Sequence, residues 1–227
     1  EMAATAKPRS GLQVQAALGD NPGNPGRPSH VYHCYFIAAI RLVIEVEVQA
    51  GNCTAAQYGQ PGLWAGLDAR PREQWPHLLR GDLSWGTERT MQEAEQRELP
   101  YLFKLKKTAK VKRHIEKLWG RKDWVAAGAG WEGVSSEVQL TGWSRARRVV
   151  ILRRRLREAL AVGEAGKTTG QRVFSGMAEL QRGRDLYEYA VVVTSLAEEV
   201  LALGQWYRCR DEARNSFDEW TTPWGCA

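Results

Sequence analysis

The fold is decided by the stretch PHLLRGDLSWGTERTMQEAEQRELPYLFKLKK, which covers residues 76–107. A short apolar run, 77–80, leads into Asp82. Thr87 is a suitable helix N-cap, and a polar run at helical spacing follows it. A strand period of two begins at Tyr101, where Tyr101, Phe103 and Leu105 alternate with Leu102, Lys104 and Lys106. The stretch therefore predicts two parallel strands joined by a crossover helix.

Asp82 is predicted to lie at the carboxyl end of the first of these strands. Binding and catalytic sites in open α/β sheets form at that edge. The alternative interpretation is a turn residue or a helix-entry aspartate, because aspartate is also common in tight turns.

The residues before this stretch predict an antiparallel hairpin and a helix. The segment 31–37 is aromatic and β-branched, and 42–48 alternates with a period of two. Residues 2–7 are expected to be the end of a further strand, and 61–67 a short helix. His30 and His33 are expected at polar positions on a half-exposed strand, as is usual for histidines in such a pattern.

The residues after it predict a basic helix followed by a β-rich region. Val111, Ile115 and Leu118 form the buried stripe of a helix whose other side carries lysine and arginine. Strand-like runs then alternate with Gly-rich turns between 120 and 190. The lysine- and arginine-rich run 104–117 is either a solvated face or a contact for a DNA backbone. Arginines form the densest basic patch within 145–157.

The last segment is predicted to be an amphipathic helix. Ser195 is expected to cap it, with Glu198 completing a capping box. One helical face then continues, at steps of three and four residues, through Tyr207 and beyond. Arg210 and Arg214 are unusual because they are polar side chains on that core-facing side.

Composition limits the class of protein. The chain has 227 residues, a net charge of +6 and a sequence pI of about 9.3, which makes a polyanionic partner plausible. Its four cysteines have no zinc-ligand spacing and suit a reducing compartment. No apolar run of about 18 residues is present, so no membrane partner is expected.

The order of these motifs resembles the DDE-type insertion-sequence transposases with a group 1 DDE domain. The resemblance is carried by 19–22 with 26–30, 45–52, 80–82, 101–106, and Tyr207 with Arg210. It implies an α/β, RNase H-like mixed sheet flanked by helices, with a β-rich insertion before the last helix. The expected domains are 1–107 with 194–227, truncated at the amino end, and the insertion 108–193.

The family resemblance also implies an activity, a cofactor and a partner. Phosphodiester cleavage and strand transfer would use two Mg²⁺ ions held by two aspartates and one glutamate. The substrates would be transposon-end and target DNA in the bacterial cytoplasm, at the nucleoid, and a homodimer is left open.

Carried over position by position, the family pattern predicts a disabled site. Asp82 matches the second aspartate, whereas Ala3 stands at the first acidic position and Arg214 at the glutamate position. Tyr207 and Arg210 match the last helix of the family, but its lysine position is Thr221. We expect Arg214 to point at Asp82 within ion-pair distance.

Three hypotheses follow for this sequence: a transposase by descent, a non-catalytic DNA-binding remnant, or a pseudogene fragment with neither activity. Because the chain opens at Glu1 without a methionine, a fragment is expected. In the second hypothesis the DNA contacts, besides Tyr207 and Arg210, are the basic residues Lys104, Lys106, Lys110, Arg145, Arg147 and Arg148.

Overall fold

A computed structural model of the chain divides it into two compact units. The first comprises Glu1–Phe103 with Arg208–Ala227, and the second comprises Lys104–Tyr207, which contains the whole range predicted as the insertion, 108–193. The structure describes residues 1–8, 16–19, 26–37, 40, 42–53, 59–156, 180–182 and 185–209.

The first unit is built on a mixed sheet of six strands. β3 pairs antiparallel with β1 on one side and with β4 on the other, and β5 runs parallel to both β1 and β6. The strands are β1 (Met2–Pro8), β2 (Ala17–Leu18), β3 (Pro28–Ile37), β4 (Leu42–Ala50), β5 (Leu79–Gly81) and β6 (Tyr101–Lys104). The predicted hairpin and the predicted parallel pair are both confirmed.

Two α-helices and a short 3-10 helix connect the strands of this unit. They are α1 (Gln60–Asp68), the 3-10 helix Arg72–Gln74 and α2 (Glu88–Gln96). The Thr87 hydroxyl accepts a hydrogen bond from the backbone of Thr90, so the predicted cap of the crossover helix is confirmed. An α/β architecture with helices flanking a mixed sheet is therefore observed.

The core of the first unit surrounds the end of β5. Trp85 and Phe103 are fully buried, and Trp85 lies so close to Gly81 that a Cβ atom there would sit 2.6 Å from the Trp85 Cβ. His33 is also fully buried, which corrects the expected half-exposed position. Side chains on both faces of β3 are buried. The alternation of residue types in the sequence did not indicate that the second face is buried too.

In its described residues, the second unit is an antiparallel sheet with one helix on each face. Its elements are α3 (Ala109–Leu118), β7 (Val125–Gly128), β8 (Trp131–Val138), β9 (Arg147–Arg155), β10 (Leu180–Arg182), β11 (Asp185–Thr194) and α4 (Val200–Arg208). Neighbouring strands follow the order β7–β8–β9–β11, and β10 also pairs with β11. The β-rich character expected for this region is confirmed.

Contacts to β8 show which helix covers which face of this sheet. The His114 ring in α3 lies 3.0 Å from the Ser136 hydroxyl, whereas Gly133 packs against Val200 of α4. Gly133 and Ser136 are three positions apart on one strand, so they lie on opposite faces. The predicted stripe of α3 is buried, and its lysines and Arg113 are exposed.

The predicted capping box at Ser195 and Glu198 is wrong, because α4 begins only at Val200. The Thr194 hydroxyl instead accepts a hydrogen bond from the Leu196 backbone, 3.1 Å away. The lead-in to α4 is therefore non-helical. In the part of the chain that the structure describes, no helix is both long and apolar enough to cross a membrane.

Candidate functional site

Asp82 lies at the carboxyl end of β5, where the sequence placed it. One carboxylate oxygen, Oδ1, accepts hydrogen bonds from the Ser84 backbone at 2.9 Å and from the Ser84 hydroxyl. Its own carbonyl accepts the Trp85 backbone N–H. Asp82 therefore has both predicted roles. It follows the end of β5, and it also starts the turn that brings Trp85 under Gly81.

The register of the sheet brings the two expected aspartate positions together. Met2 of β1 pairs with Gly81 of β5 in the parallel direction. Ala3 and Asp82 directly follow these two paired residues, so they occupy equivalent positions on neighbouring strands. The chain thus aligns, in space, two positions that lie far apart in its sequence.

A buried polar group lies close to this strand end. His33 on β3 is fully buried, and neither ring nitrogen has a hydrogen-bond partner among the described residues. Burial lowers the pKa of His33, and the negative charge of Asp82 partly offsets that effect. The imidazole is therefore held neutral near pH 7, which makes it unsuited to neutralise Asp82. Sequence reasoning had treated His33 as an ordinary strand residue.

Tyr35 lies two positions along from His33, on the same face of β3. Its hydroxyl donates to the Glu47 carboxylate at 3.0 Å and to the Gly59 carbonyl, and its ring meets Trp85 edge-on. Burial raises the pKa of Glu47 above its ordinary value, and the Tyr35 hydrogen bond opposes this shift. The Glu47 carboxylate therefore has a structural role where β4 meets the start of α1.

The residues described around Asp82 do not fit a pair of Mg²⁺ ions. Mg²⁺ prefers carboxylate oxygens in near-octahedral geometry, and two-metal sites need several of them. Alanine offers no oxygen donor at position 3, and one Asp82 oxygen already accepts two hydrogen bonds. Within the described ranges, no three His, Cys, Asp or Glu side chains are grouped so that they could hold a metal.

Two of the residues matched to the family, Lys104 and Tyr207, meet in the second unit. The Lys104 ammonium lies 5.7 Å from the centre of the Tyr207 ring, within the range of a cation–π contact. The other members of the family pattern, Arg210, Arg214 and Thr221, lie outside the described residues, and so does the expected Arg214–Asp82 ion pair.

Arg147 and Arg148, both proposed DNA contacts, have their guanidinium groups engaged inside the protein. Arg147 is 4% exposed and stacks over Trp143. Arg148 donates to the Leu196 carbonyl at 2.6 Å and to the Glu198 carbonyl at 2.9 Å. The structure therefore gives both side chains packing roles that the arginine-rich sequence did not indicate.

The next arginines on β9 are likewise paired. Arg153 lies 3.8 Å from the Trp124 ring centre and donates to Glu132 at 2.8 Å. Arg154 donates to Glu188 at 2.6 Å and lies over Trp131. The ten tryptophans of the chain were a signal for such stacking, since arginine is the cation most often found over an indole ring.

The basic side chains of α3 behave differently. Lys110, Lys112 and Lys117 are exposed, as is Lys106 in the segment before the helix, and within the described ranges no hydrogen bond or ion pair to an acidic group is found for them. Arg145, in the loop before β9, is exposed as well and makes an interaction of its own. The predicted basic residues thus separate into a structural set on β9 and a solvent-facing set that includes those of α3.

No protein-family model matches this chain, and no curated protein sequence matches it either.

Proposed function

We propose that this chain is a relative of the DDE-type transposases that binds DNA but does not cleave it. The mixed sheet with flanking helices supports an RNase H-like core for the first unit. The β-rich second unit supports the insertion that the resemblance implies.

The register of β1 against β5 carries this proposal. Residues 3 and 82 were matched to the two aspartates of the family from sequence motifs alone. Two-metal chemistry needs those carboxylates side by side, because both must reach ions only about 4 Å apart. Met2 pairs with Gly81, so the next residues along, Ala3 and Asp82, meet that requirement of position.

Chemistry, by contrast, argues against cleavage. With alanine at position 3, Asp82 is left as the one acidic residue of the first two positions. A single carboxylate that also holds Ser84 cannot supply the several oxygen ligands that a Mg²⁺ pair requires. Asp82 acts as the residue that orders the turn after β5.

The proposal is tested by a nicking assay. We expect the purified chain, incubated with supercoiled plasmid and Mg²⁺ or Mn²⁺, to produce no more nicked circles than its Asp82→Ala variant. The same preparations should bind a duplex probe, with an affinity that falls as salt concentration rises. Nicking that the Asp82→Ala change abolishes would overturn the non-cleaving part of the proposal, and failure to bind duplex DNA would overturn the rest.

A further inference from the structure

The strongest unexplained surface in the second unit is one side of α3. Lys110, Arg113 and Lys117 follow one another at steps of three and four residues within α3. This spacing aligns them along one side of the helix, and all three are exposed. We call these three residues the basic stripe.

The amino-terminal part of the basic stripe works against the stability of its own helix, whereas Lys117 in the last turn is favourably placed. Cations are unfavourable near a helix N-terminus, yet the first turn of α3 holds Lys110 and no acidic residue. Like charges three or four positions apart also repel, as Lys110 and Arg113 do, and Arg113 and Lys117. The single acidic residue of α3 is Glu116. An arrangement that breaks local rules in this way indicates a role outside the helix.

The other cations of this unit show what the basic stripe lacks. Arg148, Arg153 and Arg154 each meet a carbonyl, a carboxylate or an indole ring of the protein. The two lysines of the basic stripe have no acidic partner in the described parts of the chain, and there Arg113 donates to the Ala109 carbonyl of its own helix. A negatively charged partner from outside would supply the missing counter-charge.

The dimensions fit one strand of a duplex. Lys110 and Lys117 are seven residues apart, or about 10.5 Å along the helix axis. Each DNA strand carries a phosphate about every 3.4 Å of duplex axis, so this length spans roughly three phosphates. Single-stranded nucleic acid is a poorer match, because its binding sites combine charge with aromatic platforms and the stripe has no aromatic side chain.

We infer that the basic stripe is a phosphate-contacting surface for duplex DNA and that it extends the predicted contacts to Arg113 and Lys117. This inference rests on the proposed function, since it names the surface through which the chain would hold DNA. It places the contacts on α3 and not on the arginines of β9.

The test compares two double variants that lose the same charge. Lys110→Gln with Lys117→Gln removes two members of the basic stripe. Lys112→Gln with Lys122→Gln removes two exposed lysines outside it, and Lys112 lies on the same helix. Gln keeps a helix propensity close to that of Lys, so circular dichroism should show both proteins folded.

Affinity for a fluorescent DNA duplex is measured by anisotropy across a salt series. We expect the slope of log affinity against log salt to become shallower by about 1.8 for the stripe variant, since each phosphate contact contributes about 0.9. The control variant should keep the slope of the unmodified chain.

The outcomes separate the two proposals. Equal slopes for both variants, with duplex binding intact, would overturn the inference about the basic stripe and leave the proposed function standing. No salt-dependent duplex binding by the unmodified chain would overturn the proposed function itself. Equal or tighter binding to an RNA duplex of the same length would overturn DNA as the partner.

Discussion

His33 makes the stability of the first unit depend on pH. It is fully buried, and burial lowers its pKa below the ordinary value of 6.5, with the charge of Asp82 as a smaller opposing effect. Below that ordinary value, the unfolded chain takes up a proton at this residue before the folded chain does. We therefore expect the free energy of unfolding to fall as pH drops below about 6.5, by at most about 1.4 kcal/mol per pH unit.

The pH effect of His33 is measured by urea unfolding at pH 7.5 and pH 5.5. In a His33→Leu variant the loss of stability between the two pH values should shrink, whatever the change in absolute stability. His77→Gln, at an exposed position, serves as the control and should lose as much as the unmodified chain. His114 also has a lowered pKa, caused chiefly by burial, but it contributes equally to all three proteins. An unchanged loss in His33→Leu would contradict the prediction.

The roles of some single residues could be predicted from the sequence, and those of others could not. Asp82 could be placed because its signals are local: an apolar run before it and a capped helix after it. The roles of Arg147 and Arg148 could not, because Arg148 donates to carbonyls 48 and 50 positions away. A run of arginines looks the same in sequence whether its partners are phosphates or distant backbone atoms.

At the scale of elements, hydrophobic periodicity predicted the strands and helices well, and the one clear error concerns a helix start. Ser195 and Glu198 have the spacing of a capping box, yet α4 begins at Val200. The Leu196 and Glu198 carbonyls are bound by the Arg148 guanidinium, and the Leu196 backbone N–H bonds Thr194. Tertiary contacts therefore hold this segment in a conformation that its local sequence does not favour.

Arg148 is accordingly predicted to act on α4 and not on DNA. In an Arg148→Gln variant, losing its charged hydrogen bonds should cost roughly 1–3 kcal/mol and raise amide hydrogen exchange across Val200–Arg208. The salt slope of duplex binding should stay unchanged. Lys122→Gln, which removes an exposed charge, is the control for exchange. A shallower salt slope with unchanged exchange in α4 would show that Arg148 contacts phosphate instead.

At the scale of the whole molecule, the two units carry different kinds of surface. The second unit presents positive charge on α3 for which the described residues give no acidic partner, whereas the first presents exposed apolar side chains on β4. Val46 and Val48 point to one face of that strand, Leu42 and Ile44 lie at and beyond an irregularity in its pairing with β3, and all four are 45–52% exposed. Among the described strands β4 pairs only with β3, so within that set its other edge has no partner strand.

This apolar edge leads us to expect self-association through β4 that strengthens with protein concentration. A lysine in place of one of these exposed apolar residues should weaken the self-association, because a charge on an edge strand opposes pairing with a second sheet. The comparison is Val46→Lys against Leu83→Lys, since both residues are apolar and similarly exposed, at 45% and 47%, but Leu83 lies in the turn after β5. Sedimentation velocity over a hundredfold concentration range should show less association for Val46→Lys than for the unmodified chain, and no change for Leu83→Lys. Equal association in all three proteins would exclude the exposed face of β4 as the contact.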